Sequence, residues 1–213
     1  MTQEELKKLQ QHLKNPNGID GIRMGKKMNA SNAKMITNSI RFLDLKPKQK
    51  VLEIGHGNGG HVPEFFKIVP NLEFQGLETS ETMWREAQKE NQKLNATFHL
   101  YDGVIIPFDE HTFDRIISVN TLYFWSDPQK MLSEIAQTLK PKGLAVITFM
   151  LKSFMENLSF VGEEFNLYEK EDFVTLIENS NLKIIDSKEQ TEQVKSKSGE
   201  MVERKYCIIK LSK

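Results

Sequence analysis

Apolar positions along the chain keep two different periods. Leu6, Leu9 and Leu13 recur at helical spacing among Glu, Lys and Gln, and Asn15-Pro16-Asn17-Gly18 ends that stretch. A second helical pattern covers 31–43, with Met35, Ile36, Ile40 and Leu43 on one side, until Lys46-Pro47-Lys48 breaks the chain. Beyond it, short apolar runs alternate with helical patterns. The runs predict strands over 51–54, 72–77, 96–101, 115–119 and 144–149, and the patterns predict helices over 61–69, 80–94, 128–139 and 170–179. Strand–helix alternation implies parallel strands joined by right-handed crossovers. Segments 182–194 and 201–211 alternate instead with period two and are joined by 195–200, the pattern of an antiparallel hairpin. The expectation is an α/β fold: a doubly wound, seven-stranded, mostly parallel sheet with an antiparallel C-terminal hairpin and helices on both faces. The aromatic-rich segment 151–168 has no clean period and reads as a loop with a short helix over the end of the sheet.

Composition narrows the function. With 29 basic and 29 acidic residues the formal net charge is zero, which argues against a nucleic-acid partner, because phosphate neutralisation needs a basic face. No apolar run reaches the length of about 20 residues that a membrane span needs. The first fifteen residues are charged and lack the apolar centre of a secretion signal, and Cys207 is the one cysteine, so the expected setting is cytoplasmic. His12, His99 and His111 are scattered without ligand spacing, and no metal site is expected.

The stretch VLEIGHGNGGHV, from Val51 to Val62, carries the chemistry. Four glycines follow the first strand, where the open end of a parallel sheet takes its ligands. Glycine there allows positive φ and close approach of backbone to a ligand. Gly55-His56-Gly57-Asn58-Gly59-Gly60 satisfies the G-x-G-x-x-G spacing of dinucleotide sites, which keeps an NAD(P)-dependent oxidoreductase among the alternatives. Glu53, two residues before the first glycine, suits a ligand carrying a cation better than a pyrophosphate.

Glu53-Ile54-Gly55-His56-Gly57-Asn58-Gly59 resembles motif I, (D/E)-x-G-x-G-x-G, of the class I S-adenosylmethionine-dependent methyltransferases. The later strand ends follow that family's order: Glu78 in LEFQGLETSETM, Asp102-Gly103 in ATFHLYDG, Asn120 in FDRIISVNTLYFWSDP, and LKPKGLAVITF leading into the fifth strand. The resemblance covers about residue 36 to the C-terminus and implies a Rossmann-like fold. It also implies S-adenosylmethionine as cofactor, with S-adenosylhomocysteine as product. By that resemblance Glu53, Gly55, Gly57, Asn58, Gly59, Glu78, Thr79, Met83, Asp102, Gly103, Asn120 and Thr121 line the cofactor site, with Glu78 on the ribose hydroxyls and Asp102 on the adenine amino group. Met83 or its neighbour Trp84 would lie against adenine. Asp114, at the opposite end of its strand, reads as structural.

In-line methyl transfer needs alignment and exclusion of water more than a fixed catalytic group. His56, His61 and Tyr123 are candidate catalytic residues. Asn120 and Tyr123 stand at the offsets of the N-P-P-Y motif of amino-group methyltransferases, but both prolines are missing, so an amine acceptor is not inferred. Segment 21–35, GIRMGKKMNASNAKM, resembles the N-terminal lid of small-molecule methyltransferases. Met24, Met28 and Asn29 there, with Tyr123 and Trp125, are candidates for binding the acceptor. The expected layout is a helical lid segment over 1–38 and a cofactor-binding domain over 39–213. The expected partner is a small-molecule methyl acceptor, and the oligomeric state, monomer or homodimer, stays open. A non-catalytic S-adenosylmethionine-binding regulator or partner subunit is the other alternative.

Overall fold

The computed structural model describes residues 2–195 and 201–213, with the side chain of Lys195 excluded, so residues 196–200 of the turn expected at 195–200 lie outside the described residues. Seven strands form one sheet in the order β3-β2-β1-β4-β5-β7-β6. They are β1 (Lys50–Ile54), β2 (Glu73–Glu78), β3 (Ala96–Leu100), β4 (Phe113–Val119), β5 (Leu139–Met150), β6 (Lys183–Lys195) and β7 (Met201–Ser212). The first five pair in parallel, and β7 runs antiparallel to both β5 and β6. The chain leaves β1 for β2 on one side and returns to β4 on the other, so the strand order reverses at β1.

Alternation along the strands sorts side chains between two layers. Leu52, Ile54, Ile116, Ile147 and Ile209 face α5 (Pro128–Thr138), α6 (Lys152–Met155) and α7 (Lys170–Glu178). Val51, Ile117, Val146 and Ile208 face α2 (Gly18–Phe42), α3 (Val62–Ile68) and α4 (Glu81–Glu90). Glu53 shares the register of Val51 and therefore points under α3. Asp114 accepts from the Lys50 N–H at 2.9 Å and from Lys140 Nζ at 2.8 Å, which fixes the far end of β4.

Segment 21–35 and the helix expected over 31–43 are continuous, and the helix starts earlier than expected. α2 is one helix of 25 residues, and α1 (Gln3–Lys14) precedes it. Gly21 and Gly25 are packing positions here: a Cβ on Gly21 would lie 2.6 Å from the Pro16 carbonyl carbon, and one on Gly25 would lie 2.6 Å from Met83 Sδ. Small residues let α2 sit close to α4, and the helix tolerates them. Its second half buries Met35, Ile36 and Ile40 against the sheet, and Ser39 Oγ meets Thr148 Oγ1 at 2.7 Å. Among the described residues no helix is long and apolar enough to cross a membrane.

The outer part of the β6–β7 hairpin reaches beyond β5, which pairs with β7 only from Tyr206 to Ser212. A buried ion pair anchors it. Arg204 Nε donates to Glu192 Oε1 at 3.0 Å, Nη1 to Asn32 Oδ1 at 2.9 Å and Nη2 to the Ser31 carbonyl at 2.9 Å. Removing one member of such a pair leaves a buried charge, at a cost of about 3–5 kcal/mol, whereas an exposed pair is worth less than about 1 kcal/mol. Urea unfolding should therefore show a loss of that larger size for Glu192→Ala and almost none for Glu164→Ala, which only breaks the exposed contact with Lys14. Equal losses in the two variants would contradict the assignment.

Candidate functional site

The tips of β1, β2 and β4 open into one cavity of about 1100 Å³. Glycines shape its floor. Gly55, Gly57 and Gly59 have φ of +78°, +56° and +65°. A Cβ on Gly55 would lie 2.3 Å from Thr121 Cγ2, so this residue lets β1 and the chain after β4 meet. Gly59 lies away from the cavity, wedged against Ala87 and Asn91 of the α4 end. Gly57 is different: a Cβ there would meet nothing within 4 Å. Its backbone borders open space and its N–H donates to Glu78 Oε2 at 2.8 Å.

Acids line the β2–β3 side. The Glu78 carboxylate also accepts from the Thr79 and Ser80 N–H groups, each at 2.9 Å, and is 6% exposed. Burial pushes its carboxyl above the ordinary range, against the pull of these three backbone donors. Asp102 is exposed. Its Oδ1 accepts from Val104 N–H at 2.8 Å and Ile105 N–H at 3.0 Å, and these donors, Ile105 first, hold its carboxyl below the ordinary value. Thr79 and Gly103 lie between the two acids on the same wall. Tyr101, beside Asp102, is a wall residue that the sequence reading missed, and burial raises its hydroxyl pKa.

Two histidines sit behind the glycine turn. His61 Nε2 lies 2.8 and 2.9 Å from the two oxygens of Glu53, with both side chains almost fully buried. Glu53 accepts and cannot donate while ionised, so the imidazole proton lies on Nε2. Asn29 and Asn58 complete the corner, with the Asn29 amide 2.9 Å from Asn58 Oδ1 and 3.5 Å from His61 Nδ1. The His56 imidazole is buried edge-on to Phe98, with Nδ1 2.8 Å from the Gly57 carbonyl. That carbonyl can only accept, so Nδ1 carries the hydrogen and Nε2 keeps a lone pair with no partner among the described residues.

The β4–β5 side is amide-rich and aromatic. Asn120 occupies the left-handed region with φ +59°, which its short polar side chain tolerates. Its Oδ1 lies 3.1 Å from the Tyr123 hydroxyl, and its Nδ2 is buried without a partner among the described residues. Tyr123 is itself buried, and its hydroxyl accepts from the Met150 N–H. Burial raises the pKa of that hydroxyl, which keeps it neutral. Trp125 Nε1 donates to Thr121 Oγ1 at 3.2 Å. One stripe of α2, from Gly25 through Met28, Asn29 and Asn32 to Ile36, closes the wall, and Asn32 is a second residue the sequence reading missed.

Met24 and Met83 do not line the cavity; Met83 is fully buried beneath Gly25, and Trp84 donates its Nε1–H to the Phe98 carbonyl at 2.9 Å. The roof is α1 together with residues 163–166, which no local pattern connects. Lys14 Nζ meets Glu164 at 2.9 Å and Gln10 Nε2 donates to the Phe160 carbonyl at 3.1 Å.

Residues 51–143 match the model of a methyltransferase-domain family. The chain is 29% identical to the uncharacterized methyltransferase YdaC of Bacillus subtilis over 57% of its own length and 67% of that protein's. It spans 27%, 59% and 54% of the length of three further curated relatives. Among solved structures, a SAM dependent methyltransferase from Aquifex aeolicus superposes with a TM-score of 0.63 at 19% identity, covering 99% of this chain and 98% of that one. Haemonchus contortus phosphoethanolamine N-methyltransferase 2, solved with S-adenosyl-L-methionine, gives 0.67 at 18% identity over 85% of this chain and 52% of that one. At these identities the structural likeness shows the fold.

Burial pushes the His56 imidazole down from 6.5 to about 3. The unfolded chain binds a proton in that window which the folded chain refuses, so acid destabilises the protein and stability returns as pH rises towards 6.5. Between pH 6.5 and 5 the effect is about 2 kcal/mol. Urea unfolding at pH 7 and 5 should show a shallower acid loss for His56→Asn than for the parent; parallel losses would mean that His56 does not titrate in this way.

Proposed function

We propose that this chain, whose residues 51–143 match a methyltransferase-domain family and whose fold is that of a SAM dependent methyltransferase, is a class I S-adenosylmethionine-dependent methyltransferase that transfers the methyl group of S-adenosylmethionine to a small-molecule acceptor. The observation that carries the reading is the pairing, in one cavity, of an acid wall with a turn whose glycine backbone borders open space. Glu78 and Asp102 suit a nucleoside rich in hydroxyl and amino donors, and a side chain at Gly57 would intrude on the ligand's space. Asn120 Nδ2 and His56 Nε2, buried and without a partner among the described residues, leave hydrogen-bonding capacity for a ligand. At about 1100 Å³ the cavity exceeds the usual 300–1,000 Å³ of a single-ligand pocket, in keeping with a cofactor and an acceptor side by side.

When bound, S-adenosylmethionine supplies an activated methyl group on a sulfonium. The residues of this chain bind, orient and exclude water. Glu78 would take the ribose hydroxyls with the capacity its three backbone donors leave free. Asp102 would take the adenine amino group through Oδ2, its other oxygen being held by Val104 and Ile105. The neutral Tyr123 hydroxyl is engaged by Met150 and Asn120, which favours a positioning role over proton transfer. α1 and residues 163–166 would keep water from the reacting atoms. Cys207, free and buried, fits work in a reducing cytoplasm.

Calorimetry should show S-adenosylmethionine and S-adenosylhomocysteine binding while NAD fails; tight NAD binding would reverse the choice. Glu78→Gln, which keeps the shape of the side chain, should weaken S-adenosylhomocysteine binding by about 1.5–3 kcal/mol, and unchanged affinity would refute the ribose role. Labelled methyl transfer into a metabolite extract distinguishes a transferase from a cofactor-binding regulator, for which the extract stays unlabelled.

A further inference from the structure

The two sides of the cavity differ in polarity. Glu78 and Asp102 stand at the ends of β2 and β3; Asn120 follows β4 with its N–H on the Thr148 carbonyl of β5, and Asn32 of α2 is tied to β7 through Arg204. Both amides have their oxygens taken. Asn32 Oδ1 is held by the Arg204 guanidinium, which can only donate, so the amide cannot turn over without setting donor against donor. Arg204 is itself fixed by the buried Glu192 and by the Ser31 carbonyl. Asn120 Oδ1 is the nearer acceptor for the Tyr123 hydroxyl, at 3.1 Å against 3.4 Å for the Met150 carbonyl, while that hydroxyl receives the Met150 N–H. Both side chains therefore have their NH2 groups left over, and neither Nδ2 has a hydrogen bond to a described residue.

Resting on the methyltransferase reading above, we propose that Asn32 and Asn120 form a donor pair that selects an acceptor molecule presenting an oxygen with lone pairs, a carboxylate, carbonyl or phenolate-like oxygen, and that disfavours amines. An ammonium or amine N–H brought to these two amides would set donor against donor, and an unpaired buried donor is costly. Of the two roof carboxylates that also line the cavity, Glu164 is engaged by Lys14, and both side chains are exposed to solvent. Tyr123, Phe124 and Trp125 border the same side and suit a flat carbon skeleton beside that oxygen. The chemistry has a second source, since the carboxylate of the cofactor's own amino-acid tail also accepts hydrogen bonds. The location favours the acceptor molecule, because Asn29 meets Asn58 of the glycine turn whereas Asn32, three residues further along α2, meets Arg204 of β7 instead.

The test uses the full chain saturated with S-adenosylhomocysteine and two probes of one skeleton, benzoate and benzylamine, followed by NMR titration. Benzoate should bind and benzylamine should not. Asn32→Asp and Asn120→Asp each replace the free NH2 by oxygen at nearly constant volume, and each should weaken benzoate at least tenfold while admitting benzylamine. Melting temperatures close to the parent's keep a folding defect from imitating that result. Benzylamine binding the parent as well as benzoate does, no benzoate binding at all, or benzoate binding unchanged in both variants would overturn the proposal. A variant that loses S-adenosylhomocysteine but keeps methylthioadenosine, which lacks the amino-acid tail, would assign the donors to the cofactor's carboxylate and overturn their assignment to the acceptor. If S-adenosylhomocysteine itself fails to bind the parent, the methyltransferase reading falls, and the two probes on the free protein still decide the polarity of the site.

Discussion

The contact between His61 and Glu53 governs the geometry around it. A carboxylate in the middle strand of a sheet has no water to solvate it, so it must find a partner within the protein. Strand alternation points Glu53 under α3, and the residue able to meet it is the one just before that helix begins. The chain between them has to double back within a few residues, which three positive-φ glycines permit. The same reversal carries the Gly57 N–H onto Glu78, tying the ends of β1 and β2 together. A ligand at the strand tips would thus meet backbone whose position is set from beneath by a buried acid.

Helix α2 joins that corner to the rest of the molecule. Its first half borders the cavity through Gly25, Met28, Asn29 and Asn32, and its second half is packed into the layer above β1, β4 and β5. Ser39 and Asn38 attach it to Thr148 and Tyr206, and Arg204 attaches it to the hairpin. Because one rigid element serves as both wall and core, the amide-bearing side of the cavity is referred directly to the sheet.

Period-two runs and glycine clusters made the strands, their order of appearance and the acid-bearing tips legible, since these are local signals. The seven-stranded sheet and its closing hairpin followed from them. Long-range packing was not legible. Gly21 and Gly25 look like helix breakers in one dimension and are close-approach points in three, which hid the length of α2. Met83 has the right spacing from Glu78 to reach a ligand, yet Gly25 vacates the space that draws it into the interior. Asn32 and the roof from α1 and residues 163–166 belong to segments far apart in the chain, and nothing local marks them as neighbours. Asn120 and Tyr123 were visible as a spaced pair, but the direction of their hydrogen bonds depends on Met150, at the end of another strand.

The strand order also bears on how this molecule is made. β7 is synthesised after β6 but lies between β6 and β5. A nascent chain that has emerged through β6 leaves the edge of β5 bare, along with the apolar layer that Cys207, Ile209 and Leu211 later fill. Such an edge pairs readily with other chains. Completion of the sheet therefore waits on β7, and the interval before β7 docks is when the β5 edge is most open to pairing with other chains.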